Sequence, residues 1–359
     1  MSEARRSPAA AQAPEDGFDV AALLGRVFDG ETLSREEARV AMGRLMDGKL
    51  SQVQAAALLA ALRTRGETVD EIIGFAQAMR ERAVPVPVSV TGPLLDTCGT
   101  GGTGLNTFNV STTASFLAAA LGVKVAKHGN VGVTRASGSA DVLRAAGVNL
   151  DLPAEAVGRA IEDVGVGFIF ARNHHPAMRF VAPIRADLKA RTIFNNLGPL
   201  TNPAGAQRQL MGVFSPSLAR LLAEVLRGLG VERALVVHGD GLDDLTVTGP
   251  STVIELRDDG TLEEYQVTPE DLGVHRYPAT ELTGGGPEEN AAIMKQVLSG
   301  AGPAAASEVV ALNAGAAAYL AGLVPDMRTG VQAALDALRS GEGLSKLDEY
   351  VAFTWDHGG

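Results

Sequence analysis

Cysteine is almost missing from this chain of 359 residues: Cys98 stands alone. A single thiol excludes an internal disulfide and a zinc cluster built on cysteines, and it suits a reducing compartment, so a cytoplasmic location is expected. Long apolar runs are missing as well. The longest, Val309 to Val324, spans 16 residues, is rich in alanine and glycine and is interrupted by Asn313. It predicts a buried helix, because a membrane span needs about 20 apolar residues. The first residues carry no charged-then-apolar signal peptide, and no internal repeat of fixed period occurs. Positive charge is in deficit, with a formal net charge of -11. Nucleic acid and anionic membranes usually face a basic surface, so neither is expected as a partner, although the total still allows a small basic groove. What the chain does have is 46% hydrophobic residues, enough for the core of one large domain or two of ordinary size.

One more absence is local. From Thr97 to Ala140 there is no Asp or Glu, while Lys124, Lys127 and Arg135 give the stretch a charge of +3. It opens with DTCGTGGTGLNTFNVST (Asp96 to Thr112), which sets four glycines between Gly99 and Gly104. The G-x-G-x-x-G match invites a dinucleotide, but that fold requires an acidic ribose ligand roughly 20 residues further on, and none exists. Glycines lack a Cβ and so let main-chain N–H groups approach a phosphate. Thr107, Asn109, Ser111 and Thr112 then supply donors where a helix is expected to start. A phosphate cradle and an ordinary strand-to-helix turn both fit these residues taken alone.

Residues 1–17, rich in alanine, proline and charge, predict a disordered tail. Four helical patterns follow between Phe18 and Val84: Val20 to Phe28, a stretch from Ser34 with Glu37 completing a capping box, Ser51 to Arg63, and Thr68 to Arg82. Ala55, Leu58, Leu59 and Leu62 form one apolar stripe. No strand candidate intervenes, so residues 18–88 read as a small helical domain. Beyond them the short apolar runs PLLDTC, GVKVA, GFIFA, ALVVHG and STVIEL alternate with helical stretches, which predicts buried strands joined by parallel crossovers. The expected fold class is α/β: a small N-terminal helical domain plus a large α/β domain, residues 89–172 and 207–359, with a mainly parallel central sheet. The segment 173–206, rich in prolines and amides, is expected to form short helices and loops packed on the helical domain.

In an open parallel sheet, ligands gather at the carboxyl ends of the strands. There KHGNVGVTRASGSAD offers Lys127, His128, Asn130, Thr134, Arg135 and Ser139, with Ser139 expected to cap the next helix. HGDGLDD brings Asp240, Asp243 and Asp244; alone they make a polar turn, but beside a phosphate they suit a shared Mg²⁺. HHPAMRFVAPIR adds His174, His175 and Arg185. The histidines read as packed or hydrogen-bonded side chains. Arg185 fits either a carboxylate substrate or a structural salt bridge to the helical domain.

In their order and spacing, CGTGG, NTFNVST, KHGN, SGSADVL, HPAM, APIR, RTIFNNLGPLTNPAG, GLDD and GGGPEENA resemble the anthranilate phosphoribosyltransferases of tryptophan biosynthesis, over about Phe18 to Phe353. The resemblance implies the architecture of the nucleoside phosphorylase and phosphoribosyltransferase class and a homodimer formed through the helical domains. It also implies Mg²⁺-dependent transfer of the phosphoribosyl group of phosphoribosyl diphosphate to the amine of anthranilate. By position, it implies that Gly99, Gly102, Thr103, Thr107, Asn109, Val110, Ser111, Thr112, Lys127, Arg135 and Ser139 hold phosphoribosyl diphosphate. Gly99, His128, Asn130, His175 and Arg185 would meet anthranilate, and Ser111, Asp243 and Asp244 would serve the metal. No residue stands out as a general base.

The chain departs from the family pattern where Thr103 replaces an aspartate, Val131 an arginine, Thr134 and Arg135 two serines, Ala136 a lysine and Asp244 a glutamate. The charge gained at Arg135 is expected to offset the charge lost at position 131, which calorimetric titration of R135A with phosphoribosyl diphosphate would check. On the sequence alone, transfer to another aromatic amine, a nucleoside phosphorylase and a non-catalytic nucleic-acid-binding relative are the competing functions.

Overall fold

The computed structural model describes residues 18–101, 106–132 and 136–358. The expected tail, together with Gly102, Thr103, Thr134 and Arg135, lies outside the described residues. Four helices come first: α1 (Val20–Phe28), α2 (Arg35–Met46), α3 (Gln52–Arg65) and α4 (Val69–Arg80). Each begins where the sequence supplies a cap. Asp19, Ser34, Ser51 and Thr68 accept hydrogen bonds from first-turn amides, and Glu37, Gln54 and Glu71 reach back to complete three capping boxes. One such cap contributes about 1 kcal/mol. Glu71 has a further role: fully buried, it accepts the Leu33 amide at 2.8 Å and pairs with Arg65, which ties the loop before α2 to the start of α4. Helices α2 and α4 touch at Gly74, where a Cβ would lie 2.2 Å from the Arg35 carbonyl oxygen.

A seven-stranded sheet follows, formed by β1 (Leu94–Gly99), β2 (Lys124–Gly129), β3 (Val166–Phe170), β4 (Arg208–Gly212), β5 (Arg233–Gly239), β6 (Ser251–Leu256) and β7 (Leu262–Val267). The spatial order is β3-β2-β1-β4-β5-β6-β7, parallel from β3 to β5 and antiparallel at β5–β6 and β6–β7. Three details correct the sequence-based expectation. STVIEL forms β6, but it runs antiparallel, because the connection 240–250 holds no helix to carry a crossover. Strand β4 escaped notice because it is short and opens on Arg208 and Gln209. Strand β7 escaped because it is a half-exposed edge in which Glu263, Glu264 and Gln266 make up half of the six residues.

Helices cover both faces of the sheet. Those linking the strands are α5 (Val110–Ala120), α6 (Ser139–Ala146), α7 (Ala154–Asp163), α8 (Ala171–His174), α9 (Ala182–Leu188), α10 (Phe194–Leu197) and α11 (Pro216–Gly228). After β7 come α12 (Pro287–Leu298), α13 (Ala304–Leu320), α14 (Met327–Arg339) and α15 (Glu342–His357). On one face Leu95, Val125, Leu235 and Val237 share an apolar core with α5 and α12 to α15. On the other, Met211, Val236 and Ile254 join α11, and that core continues without a break into α1 to α4, α9 and α10 through Leu222, Ile73, Ile184 and Leu197. Among the described residues no helix is long and apolar enough to cross a membrane.

Candidate active site

The strand order reverses between β1 and β4, so a crevice opens there at the carboxyl ends of the parallel strands. Two glycines line it in register, Gly99 opposite Gly212. Both are needed by a third element. The acidic turn after β5 drops into the crevice so closely that a Cβ on Gly99 would sit 2.4 Å from Asp243 Oδ2, and one on Gly212 would sit 1.6 Å from the Asp243 carbonyl oxygen. Asp243 Oδ2 accepts the Gly101 amide at 2.9 Å. Thr100 fastens the same glycine turn to β4, donating its amide to the Gly212 carbonyl and accepting the Phe214 amide at Oγ1. His238 steadies the acidic turn from below, bonded at Nδ1 to the Val213 carbonyl (2.8 Å) and accepting the Gly241 amide at Nε2 (3.3 Å).

Above the crevice lies a cleft of about 880 Å³. It brings together Gly99, Asn109, Val110, Ser111, Thr112, Lys127, His128, Asn130, Ser139, His175, Arg185, Asp243 and Asp244. Thr107 lies outside that lining: it is buried and its backbone pairs with Thr283. Ser139 is the first residue of α6 and not its cap, a position taken by Gly138; its hydroxyl accepts Thr112 Oγ1 at 2.9 Å instead. Asp141 closes that loop by accepting the Gly132 and Gly138 amides.

Lys127 carries the charge of the floor. Its side chain is 2% exposed, and its ammonium donates to the Thr97 carbonyl and reaches Ser111 Oγ at 3.4 Å. Burial lowers its pKa, while Asp96, Cys98, Asp244 and Asp243 act in the opposite direction. Asp96 lies beneath it, fully buried, and burial pushes its pKa up to about 6. Its Oδ1 accepts the His128 amide at 3.1 Å, while Oδ2 has no partner among the described residues.

Residues 171–199 form the facing wall. Burial pushes the pKa of His128 down to about 3 and that of His175 to about 4, with His175 further depressing His128 and His174 further depressing His175. Both are therefore neutral at pH 7. With His128 Nδ1–H donating to the Gly198 carbonyl (3.2 Å), its Nε2 is left to accept His175 Nε2–H (3.2 Å). Arg185 is half-buried, its guanidinium 5.6 Å from the Phe194 ring centre and its pKa lowered by burial. No carboxylate among the described residues pairs with it, so the salt-bridge alternative has no partner here. Arg172, Arg179 and Arg191 line the same wall. They were not singled out in the sequence, where lone arginines in a loop carry no signal; only the RTIFNNLG motif containing Arg191 pointed toward one of them. Ser137 and Asn290, both bonded to Asn109, were also missed.

Residues 21–83 match the helical bundle domain of the glycosyl transferase family, and residues 91–344 match its a/b domain. An anthranilate phosphoribosyltransferase of Deinococcus radiodurans is 52% identical over 332 residues, covering 92% of this chain and 98% of the relative. Another, from Rubrobacter xylanophilus, is 53% identical over 329 residues, covering 91% and 95%. The chain belongs to the anthranilate phosphoribosyltransferase family. Solved structures of that family agree. The enzyme of Thermus thermophilus matches with a TM-score of 0.88 at 50% identity, covering 92% of this chain and 99% of that one. The Saccharomyces cerevisiae anthranilate phosphoribosyltransferase in complex with PRPP and Mg matches with a TM-score of 0.86 at 26% identity, covering 94% and 98%. Among the described residues, two departures from the anthranilate phosphoribosyltransferase pattern fall on the cleft: Val131, 39% exposed, and Asp244.

Proposed function

We infer that this chain transfers the phosphoribosyl group of phosphoribosyl diphosphate to the amine of anthranilate, giving N-(5-phosphoribosyl)anthranilate and diphosphate. One observation carries the inference: Lys127 and the start of α5 line the same cleft as the Asp243–Asp244 pair, with Arg185 on the facing wall. Membership of the family supports the choice of substrates.

Gly99, Asn109, Val110, Ser111, Thr112, Lys127 and Ser139 would hold phosphoribosyl diphosphate, joined from the sequence by Gly102, Thr103 and Arg135, with Thr107 bracing them from behind. As the bond to the anomeric carbon breaks, negative charge grows on the departing oxygens, and fixed amides with a buried ammonium stabilise it without reorganising. The acidic turn fits Mg²⁺: Asp243 and Asp244 are hard oxygen donors beside the glycine turn, and Ser111 lines the same cleft. When bound, the ion would supply Lewis-acid stabilisation of the diphosphate. Arg185 would grip the anthranilate carboxylate and hold the amine within reach of the ribose, so that orientation supplies much of the rate. Asn130, Gly99 and the neutral His128 and His175 would line the approach of the acceptor without adding charge.

The deciding assay follows anthranilate fluorescence after mixing with phosphoribosyl diphosphate and Mg²⁺. A steady decline is expected, and a well-folded protein that leaves the signal unchanged would overturn the assignment.

A homodimer through the helical domain belongs to the same proposal. Phe28 and Val53, 61% and 80% exposed, offer apolar surface on α1 and α3, and a monomer mass by light scattering would remove it. The domain limits proposed are 18–88, with 173–206 packed on it, and 89–172 with 207–359. The lone buried Cys98 supports a cytoplasmic setting.

A further inference from the structure

The motif GGGPEENA contributes nothing to the lining of the cleft, yet it is laced along the chain that leads into α5. Phe108 donates its amide to the Leu282 carbonyl, Gly284 donates to the Asn106 carbonyl at 2.8 Å, and Asn106 Nδ2 returns a bond to the Gly284 carbonyl at 2.9 Å. A Cβ on Gly284 would lie 2.5 Å from the Phe108 nitrogen, so only glycine allows this approach. From the first turn of α12, Asn290 completes the brace. It is 2% exposed, accepts the Gly285 amide at Oδ1 (2.8 Å) and donates Nδ2 to Asn109 Oδ1 (3.0 Å).

Asn109 is the N-cap residue of α5. An asparagine there ordinarily turns its side-chain oxygen back onto the second or third amide of the helix. Here it makes no such bond. Its Oδ1 is held by Asn290 Nδ2 and by Ser137 Oγ (3.2 Å), while its Nδ2 donates to the Ser137 carbonyl. A local preference for capping has been overridden from a distant helix, and among the described residues no side chain accepts the amides of Ser111 and Thr112 beside the cleft.

We propose that Asn290 is a positioning residue for phosphoribosyl diphosphate: by holding the Asn109 side-chain oxygen Oδ1 away from α5, it keeps that helix start uncapped and its amides open to the diphosphate oxygens. The proposal rests on the assignment of the α5 start to phosphoribosyl diphosphate made above. In Asn290→Ala the Asn109 side chain keeps only its two bonds to Ser137, and its Oδ1 can exchange the longer of its two donors for the helix amides, fold back as a cap and compete with the ligand.

The test is calorimetric titration with phosphoribosyl diphosphate and Mg²⁺, alongside steady-state kinetics. Asn290→Ala is expected to weaken binding about 10-fold and raise KM for phosphoribosyl diphosphate by the same factor. KM for anthranilate should change less than about twofold and kcat at saturation less than about threefold. Asn290→Gln, which keeps the amide, should recover part of the affinity, and it serves if the alanine variant does not fold. In the Asn109→Ala background, Asn290→Ala should cost less than about twofold more, because nothing remains to be held back. Affinity unchanged in both Asn290 variants, or a full additive loss in the double variant, overturns the proposal. Wild-type protein that takes up no phosphoribosyl diphosphate would instead remove the site assignment, and the proposal with it.

Discussion

The sheet and the segment 171–199 face one cleft with different materials. The sheet side offers glycine backbone, the first amides of α5 and a lysine whose stem is enclosed. The facing side offers long cationic side chains resting on rings: Arg179 on Phe180, Arg185 on Phe194 and Arg191 on Phe214. Donors fixed in a strand or a helix turn need no rearrangement when charge develops, whereas an arginine gives up rotamer freedom each time it grips a ligand. The first kind suits a charge that grows during reaction. The second suits a charge present throughout, such as the carboxylate of the acceptor.

The sharpest way to break that contrast is to disturb the fixed side. Gly212→Ala would drive a methyl group into the Asp243 main chain. Overpacking against backbone should remove about 3 kcal/mol of stability, the upper end of the usual cost, and, by moving the acidic turn, lower kcat/KM by roughly 100-fold. Denaturant titration and kinetics measure both, and a variant with normal Mg²⁺ dependence would show that the crevice is not the fixed element claimed here.

On the adaptable side a smaller and more selective loss is expected. Arg185→Ala should raise KM for anthranilate roughly 10- to 100-fold, as for losing a hydrogen-bonded charge pair. KM for phosphoribosyl diphosphate should stay within about twofold. Arg185→Lys should recover only part of the loss, because an ammonium lacks the planar fork. Equal effects on both substrates would erase the division between the two walls.

The smallest effect concerns the two neutral histidines that meet across the cleft, His128 on β2 and His175 on the arginine wall. Their folded pKa values of about 3 and 4 lie below the ordinary value of 6.5. The unfolded chain therefore binds protons first as pH falls, and stability present above pH 6.5 is lost on the way down. Asp96, raised to about 6, acts in the opposite sense between its ordinary value of 3.8 and 6. The informative quantity is thus the difference between wild type and His175→Gln. The variant should lose on the order of 1–2 kcal/mol less between pH 6.5 and pH 5, and parallel stability curves would remove the buried pair as the cause.

What the sequence made legible follows from how local each cause is. A capping box is written within four residues, so Ser34 with Glu37 announces α2 directly. Gly99 was legible because three more glycines follow it. Gly212 was not, although it faces Gly99 across the crevice: its need for a missing side chain arises from Asp243, whose turn comes a full strand and helix later. Asn290 was legible as part of a motif and silent as a contact, since only the packing of α12 brings it to Asn109. The direction of β6 was misjudged for a related reason. A strand pattern records burial, while direction depends on whether the intervening loop carries a helix.

The helix α11 fits between the sheet and the N-terminal helices so tightly that a methyl group on Gly228 would lie 2.3 Å from the Ile73 side chain. Neither of the two matched regions therefore owns a complete interior. Cut apart near residue 90, each fragment would present an oily flank to water, and the scaffold that carries the arginines would lose the footing against which they are aimed.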